Sequence, residues 1–141
     1  MFKKIVVPVD PVETSFASPA LTTAAGLAKD SGGQVHIIAV MQPMNGYVAE
    51  FLPADFEAKT ESTIKETIVE LAASVGLTAE NSTVSLKFGG VYHEVIDEAS
   101  NWGADLIVVS SHRPTMSTYL LGSNAAKIVR HAPCSVMVLR T

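Results

Sequence analysis

The chain has 141 residues, of which 48% are hydrophobic and 17% charged, a length and composition typical of one folded domain with a sizeable core. Its formal net charge of −4 argues against nucleic acid as the main partner, because binding to a phosphate backbone usually needs a basic face. Cys134 is the single cysteine, and the apolar run after Lys4 stops at Asp10, too short for a secretory signal or a membrane span. We therefore expect a cytoplasmic protein with one domain over residues 1–141.

Five apolar runs alternate with four helical patterns along the chain. Strands are predicted at 3–10, 34–40, 84–88, 105–109 and 135–140, and the alternation within 84–88 is typical of an edge strand. Helices are predicted from about Thr14 to Ala28, around 64–75, from Val91 to Trp102 and from Ser123 to His131, where apolar residues recur at three- and four-residue steps. Pro8 is expected to end ladder pairing in the first strand. The order βαβαβαβαβ predicts an α/β fold, a doubly wound parallel sheet covered by helices on both faces.

Asp10 stands at the carboxyl end of the first predicted strand, and ligands of open parallel sheets bind beyond the carboxyl ends of the strands. Its carboxylate could accept a ribose hydroxyl or help to hold a metal. The alternative is a turn or cap residue before the first helix, because Asp favours both positions. Both interpretations remain open from the residues alone.

The segment 110–124 follows the fourth predicted strand and is longer than a βα connection needs. It is rich in hydroxyl groups, and Arg113 can present a planar fork of donors to a phosphate, with His112 beside it. Gly122, Ser123 and Asn124 precede or begin a helix, where free backbone amides favour an anion. The segment predicts an anion site, and the alternative is a capped helix with solvated hydroxyl groups.

Several common site motifs are absent from the sequence. It contains no GxxxxGK[ST] loop, no GxGxxG dinucleotide fingerprint and no GxSxG elbow of a serine hydrolase. The four histidines lack the spacing of a metal site, and His36, within a predicted strand, is expected to be a packed residue. No catalytic residue and no metal ligand is assigned.

The opening IVVPVD, the FGG turn at 88–90 and the C-terminal SSHRPTMSTYLLGSNAAKIVRHAPCSVMVLR are similar to those of the universal stress protein family. The resemblance covers the whole chain and implies a Rossmann-like fold, related to the adenine-nucleotide alpha hydrolases, with strand order 3-2-1-4-5. In that order Asp10 faces the loop 110–124. The resemblance also implies a homodimer in which the fifth strand, Val136 to Leu139, pairs antiparallel with that of a second subunit.

Nucleotide-binding members of the family carry a G-x2-G-x9-G-[ST] motif after the fourth strand. Here Ser110 and Arg113 stand at the first two glycines, and Gly122-Ser123 matches the end of the motif. The SHRP…LLGSNA form resembles a small bacterial subgroup that binds adenine nucleotides, which implies ATP or AMP as the ligand, with or without Mg²⁺. The implied binding residues are Pro8, Val9, Asp10 and Val40 for the base and ribose, Gly89 beside the ribose, and Val109, Ser110, Ser111, His112, Arg113, Gly122, Ser123 and Asn124 for the phosphates.

The leading hypothesis is a stress-response protein that senses or signals through bound ATP or AMP, with an unidentified protein partner. One alternative is slow ATP hydrolysis or self-phosphorylation, for which Asp10 is the only obvious carboxylate, so that catalytic power is expected to be poor. Another is a nucleotide-free dimerisation module, which is favoured if the missing glycines outweigh what Arg113 supplies.

Overall fold

The structure is a computed structural model that describes residues 1–41, 50–111 and 123–140, with Ser123 described by its backbone alone. Its strands are β1 (Lys4–Val9), β2 (Gln34–Met41), β3 (Ser82–Phe88), β4 (Leu106–Ser110) and β5 (Ser135–Leu139). Its helices are α1 (Ser18–Ser31), α2 (Phe56–Ser74), α3 (Val91–Trp102) and α4 (Ser123–His131). All neighbouring strands are parallel in the order β3-β2-β1-β4-β5, which confirms the predicted α/β class and strand order.

Helices cover both faces of the sheet. On one face the small side chains of α1, among them Ala20 and Ala24, pack with Ile68 of α2 against the odd-numbered residues of β1. On the other face Val95 of α3 and Ile128 of α4 pack against Val6 and its neighbours in β2 and β4. The central strands are therefore buried on both sides, which is why they read as continuous β-branched runs rather than alternating ones.

Several boundaries differ from the sequence prediction: α2 starts at Phe56 rather than near residue 64, and β3 starts at Ser82 rather than Val84. The predicted first helix begins with a separate 3-10 turn, Thr14–Ala17, and α1 starts at Ser18, with Pro19 in its first turn. The fourth strand begins at Leu106 rather than Asp105, and the Asp105 carboxylate accepts the backbone N–H groups of Lys3 and Lys4 at 2.9 and 3.0 Å. This contact ties the starts of β1 and β4 together.

β1 is paired unequally with its two neighbours. It pairs with β2 from Lys4 to Val9, so the expectation that pairing stops at Pro8 is wrong on that side. With β4, among the described residues, only Ile5–Leu106 and Val6–Ile107 are in register. A proline has no N–H to donate to a ladder, and pairing with β4 ends two residues before it. The carboxyl ends of β1 and β4 are adjacent but are not joined by a ladder.

No helix within the described parts of the chain is long and apolar enough to cross a membrane.

A cluster of polar side chains lies between the β3 edge of the sheet and α3. His36 Nε2 is 2.8 Å from Glu98 Oε2 and 3.1 Å from Ser85 Oγ, while its Nδ1 is 2.5 Å from Thr83 Oγ1. The imidazole also lies against the Trp102 ring, with 5.6 Å between the ring centroids. His36 is thus a packed histidine, as the sequence predicts, and it connects β2, β3 and α3.

Glu98 is ionised within this cluster. Burial acts to raise its pKa, but hydrogen bonds with Ser85 and His36, together with the charges of His36 and Lys87, outweigh burial and lower the pKa below the ordinary 4.5. Lys87 Nζ lies 3.7 Å from the second carboxylate oxygen, Oε1. A carboxylate whose pKa is lower in the folded state stabilises the fold above its unfolded pKa, and this stabilisation is lost as the pH falls through the folded value.

Glu98→Gln, which removes the charge and keeps the side-chain length, should lower the free energy of unfolding at neutral pH by about 1–2 kcal/mol, the scale of a partly screened, charge-assisted hydrogen bond. The difference from wild type should shrink as the pH falls below about 4.5. Urea denaturation across this range measures both effects. Glu66→Gln, on the exposed side of α2, is the control and should change little. A difference for Glu98→Gln that stays constant with pH would contradict an ionised Glu98 in the folded state.

Candidate functional site

The carboxyl ends of β1 and β4 form the edge of the sheet where a ligand is expected. The chain leaves β1 for α1 on one face and leaves β4 for α4 on the other, so the strand order reverses between them. Continuing the register of Val6 with Ile107 places Val9 level with Ser110. No described ladder pair joins the two strands at this level, and the region between their ends, called the crevice below, is the candidate site.

Asp10 lies on the β1 side of this crevice and is exposed. Its Oδ1 accepts the backbone N–H of Val12 at 2.9 Å, which closes a turn of the type that Asp commonly makes. The turn interpretation of Asp10 is therefore correct as far as Oδ1 is concerned. Since the described residues engage only Oδ1, the second oxygen, Oδ2, is available to a ligand, and the two interpretations of Asp10 are compatible.

Three valines expected to contact the ligand are almost fully buried at the ends of their strands. Val9 is 4% exposed, Val40 is 6% exposed and Val109 is 4% exposed. Val9 packs on the α1 face, and the other two pack on the α3 face. Their side chains are packed into the cores on the two faces of the sheet and hold the strand ends in place, so that a ligand at this edge would meet mainly their backbone. Pro8 is half-buried in the same edge.

Gly89 follows β3 at the same edge, where its N–H donates to the carbonyl of Met41 at 2.9 Å. Its φ of 151° is a conformation that favours glycine. A Cβ at this position would lie 2.8 Å from Oε1 of Glu94, which shows that the Glu94 side chain folds back over the glycine. Sequence reasoning missed Glu94, and the available signal was an acidic residue in the first turn of α3 directly after Gly-Gly.

The two serines at the end of β4 differ in their hydrogen bonding. Ser111 donates its backbone N–H to the carbonyl of Leu139 at 2.9 Å, and its hydroxyl donates to the same oxygen at 3.3 Å. Ser110 Oγ is enclosed and has no hydrogen-bond partner, and among the side chains that the structure describes it is the one buried polar group in this condition. An enclosed, unpaired hydroxyl is costly, and in native structures such groups call for an explanation.

The remaining predicted residues divide between described and undescribed parts of the chain. His112, Arg113 and Gly122 lie outside the described residues, and of Ser123 only the backbone, at the start of α4, is described. Asn124 is exposed in the first turn of α4. The structure thus brings Asp10, Ser110 and the three valines to one edge.

Within the described ranges no three His, Cys, Asp or Glu side chains are grouped closely enough to hold a metal ion.

Comparison with known sequences gives a consistent family. The family model described as the universal stress protein family matches residues 1–140. The chain is 32% identical over 143 residues to universal stress protein G of Shigella flexneri, and the match covers 99% of this chain and 100% of that protein.

Solved structures give the same result for the fold. Universal stress protein UspA from Lactobacillus plantarum matches with a TM-score of 0.76 at 25% identity, covering 99% of this chain and 98% of the other. A universal stress protein in complex with cAMP matches with a TM-score of 0.74 at 21% identity, covering 99% and 98%. One from Archaeoglobus fulgidus in complex with dAMP matches with a TM-score of 0.70 at 20% identity, covering 97% of each chain. The chain belongs to the universal stress protein family.

Proposed function

We propose that this protein is a cytoplasmic sensing or signalling module that binds ATP or AMP in the crevice between the ends of β1 and β4. The observation that carries the proposal is the chemistry of its two sides. Asp10 presents an exposed carboxylate oxygen on the β1 side, and Ser110 holds an unpartnered hydroxyl on the β4 side. Buried valines hold the strand ends in place from both faces of the sheet.

The residues present fit an adenine nucleotide. A carboxylate accepts hydrogen bonds from ribose hydroxyls, and a serine hydroxyl can donate to a phosphate. The backbone amides at the start of α4 add further donors at the same edge. Two family members of the same fold were solved with cAMP and with dAMP, which supports an adenine nucleotide as the class of ligand.

Calorimetric titration with ATP, AMP and adenosine, with and without Mg²⁺, tests the proposal. We expect one nucleotide per chain. Asp10→Asn keeps an oxygen that can accept the Val12 N–H but removes the charge, so it should weaken adenosine and AMP by a similar factor, about tenfold for a charge-assisted hydrogen bond. Glu13→Gln, an exposed carboxylate on the same segment, is the control and should leave both affinities unchanged. Absence of binding by the wild-type protein at millimolar nucleotide would refute the proposal.

We further propose that β5 mediates a homodimer. β5 lies at the edge of the sheet and pairs, within the described chain, only with β4. Val136 to Leu139 are all half-exposed and apolar, and a bare apolar edge is a site for pairing with another strand. A second copy of the same strand would satisfy this edge by a two-fold symmetric contact.

Val138→Glu should convert the dimer to monomers in sedimentation velocity, because a charge would be placed against its own symmetry mate. Val69→Glu, at an exposed valine of α2, is the matched control and should leave the dimer intact. Circular dichroism confirms that both variants are folded. A folded Val138→Glu dimer of wild-type strength would place the interface elsewhere.

A further inference from the structure

We infer that Glu94 is a specificity-determining residue of the crevice, whose carboxylate joins that of Asp10 in accepting hydrogen bonds from the sugar hydroxyls of the nucleotide. The site therefore selects nucleotides with free 2′- and 3′-hydroxyls and disfavours 3′,5′-cyclic ones. The inference rests on the proposed nucleotide site and adds to it a residue and a ligand preference.

The Glu94 side chain lies against the backbone of Gly89. A Cβ on Gly89 would lie 2.8 Å from Oε1 of Glu94 and 3.2 Å from its Cγ, so a larger residue there and the present position of the carboxylate exclude each other. The φ of Gly89, 151°, also disfavours a side chain at this position. The glycine thus leaves room for a carboxylate at the carboxyl edge of the sheet.

The Glu94 carboxylate is half-buried and makes no hydrogen bond or ion pair with any residue that the structure describes. It stands in the first turn of α3, where the helix dipole favours a negative charge but leaves the acceptor capacity of both oxygens unused. Glu98, one turn later on the same side of the helix, by contrast bonds to His36 and Ser85. Among the described residues, nothing competes with a ligand for either oxygen of Glu94.

The placement of α3 brings this carboxylate close to the crevice. α3 begins at the carboxyl edge of the sheet and packs against β2 and β1. The Gly89 N–H donates to the carbonyl of Met41, the last residue of β2, and Asp10 directly follows β1. Because paired strands lie about 4.8 Å apart, a sugar bound at the end of β1 reaches the end of β2 beside it. Asp10 and Glu94 therefore approach the sugar from the ends of adjacent strands.

Two carboxylates around one sugar impose a chemical preference. A carboxylate accepts hydrogen bonds and donates none, so it recognises hydroxyl groups and repels a phosphate. In AMP both sugar hydroxyls are free to donate. In 3′,5′-cyclic AMP the 3′ oxygen belongs to an anionic phosphodiester, which removes one donor and brings a negative charge to the carboxylates. An unpaired acceptor and a contact between like charges both weaken binding.

Calorimetric titration of the wild-type protein, Glu94→Gln and Asp97→Asn with AMP and with 3′,5′-cyclic AMP tests the inference. The wild-type protein should bind AMP at least about tenfold more tightly, the factor expected for one charge-assisted hydrogen bond. Glu94→Gln keeps the side-chain length and removes the charge, so it should reduce this preference about fivefold, the difference between a charged and a neutral hydrogen bond. Asp97→Asn, at an exposed carboxylate of the same helix, is the control and should leave the preference unchanged.

The outcomes separate this inference from the proposed function. If the wild-type protein binds AMP and Glu94→Gln keeps the wild-type preference, or weakens both ligands equally, the role of Glu94 is refuted while the nucleotide site stands. IMP, which lacks the amino group of adenine, tests a contact with the base instead. A Glu94→Gln effect on the preference for AMP over IMP, without one on the preference over cyclic AMP, would place Glu94 at the base and refute the inference. Wild-type protein that binds no AMP refutes the site and this inference together.

Discussion

The short ladder between β1 and β4 is the constraint on which the rest of this structure depends. Asp105 joins the starts of the two strands through the N–H groups of Lys3 and Lys4, and register pairing ends at Val6 and Ile107. Pro8, which cannot donate an N–H, follows two residues later. β1 and β4 are thus joined at their amino ends, and no described ladder pair joins them at their carboxyl ends, where the strand order reverses.

The strand ends around this opening are held by contacts that leave few polar groups free. The Gly89 N–H is donated to β2, both donors of Ser111 are given to β5, and one oxygen of Asp10 closes its own turn. At the described ends of β1 and β4 this leaves Asp10 Oδ2, an acceptor, on one side and Ser110 Oγ, a possible donor, on the other. An acceptor on one side and a donor on the other suit a ligand whose two ends differ, such as a nucleotide with sugar hydroxyls at one end and a phosphate at the other. The His36–Glu98 cluster, at the β3 side of the sheet, stabilises the packing of α3 that positions Glu94.

Sequence reasoning predicted the architecture well because each element carries its own signal. Continuous apolar runs marked the central strands, the alternation of Val84 and Leu86 marked the edge strand, and three- and four-residue spacing marked the helices. It failed where the outcome depends on a neighbour in space. Pro8 stays paired with β2, and the Asp105 carboxylate binds the start of β1. The contrast between Ser110 and Ser111 was beyond its reach, because identical adjacent residues differ only in what the fold places beside them. His112, Arg113 and Gly122 remain predictions from the resemblance.

Amide NMR titration with AMP tests the central claim most directly, because it reports binding and location in one experiment. The account predicts that the largest shifts fall on Val9, Asp10 and Ser110 at the adjoining ends of β1 and β4, with little change along α2. Shifts centred on another part of the sheet, or no shifts at millimolar AMP, would contradict it.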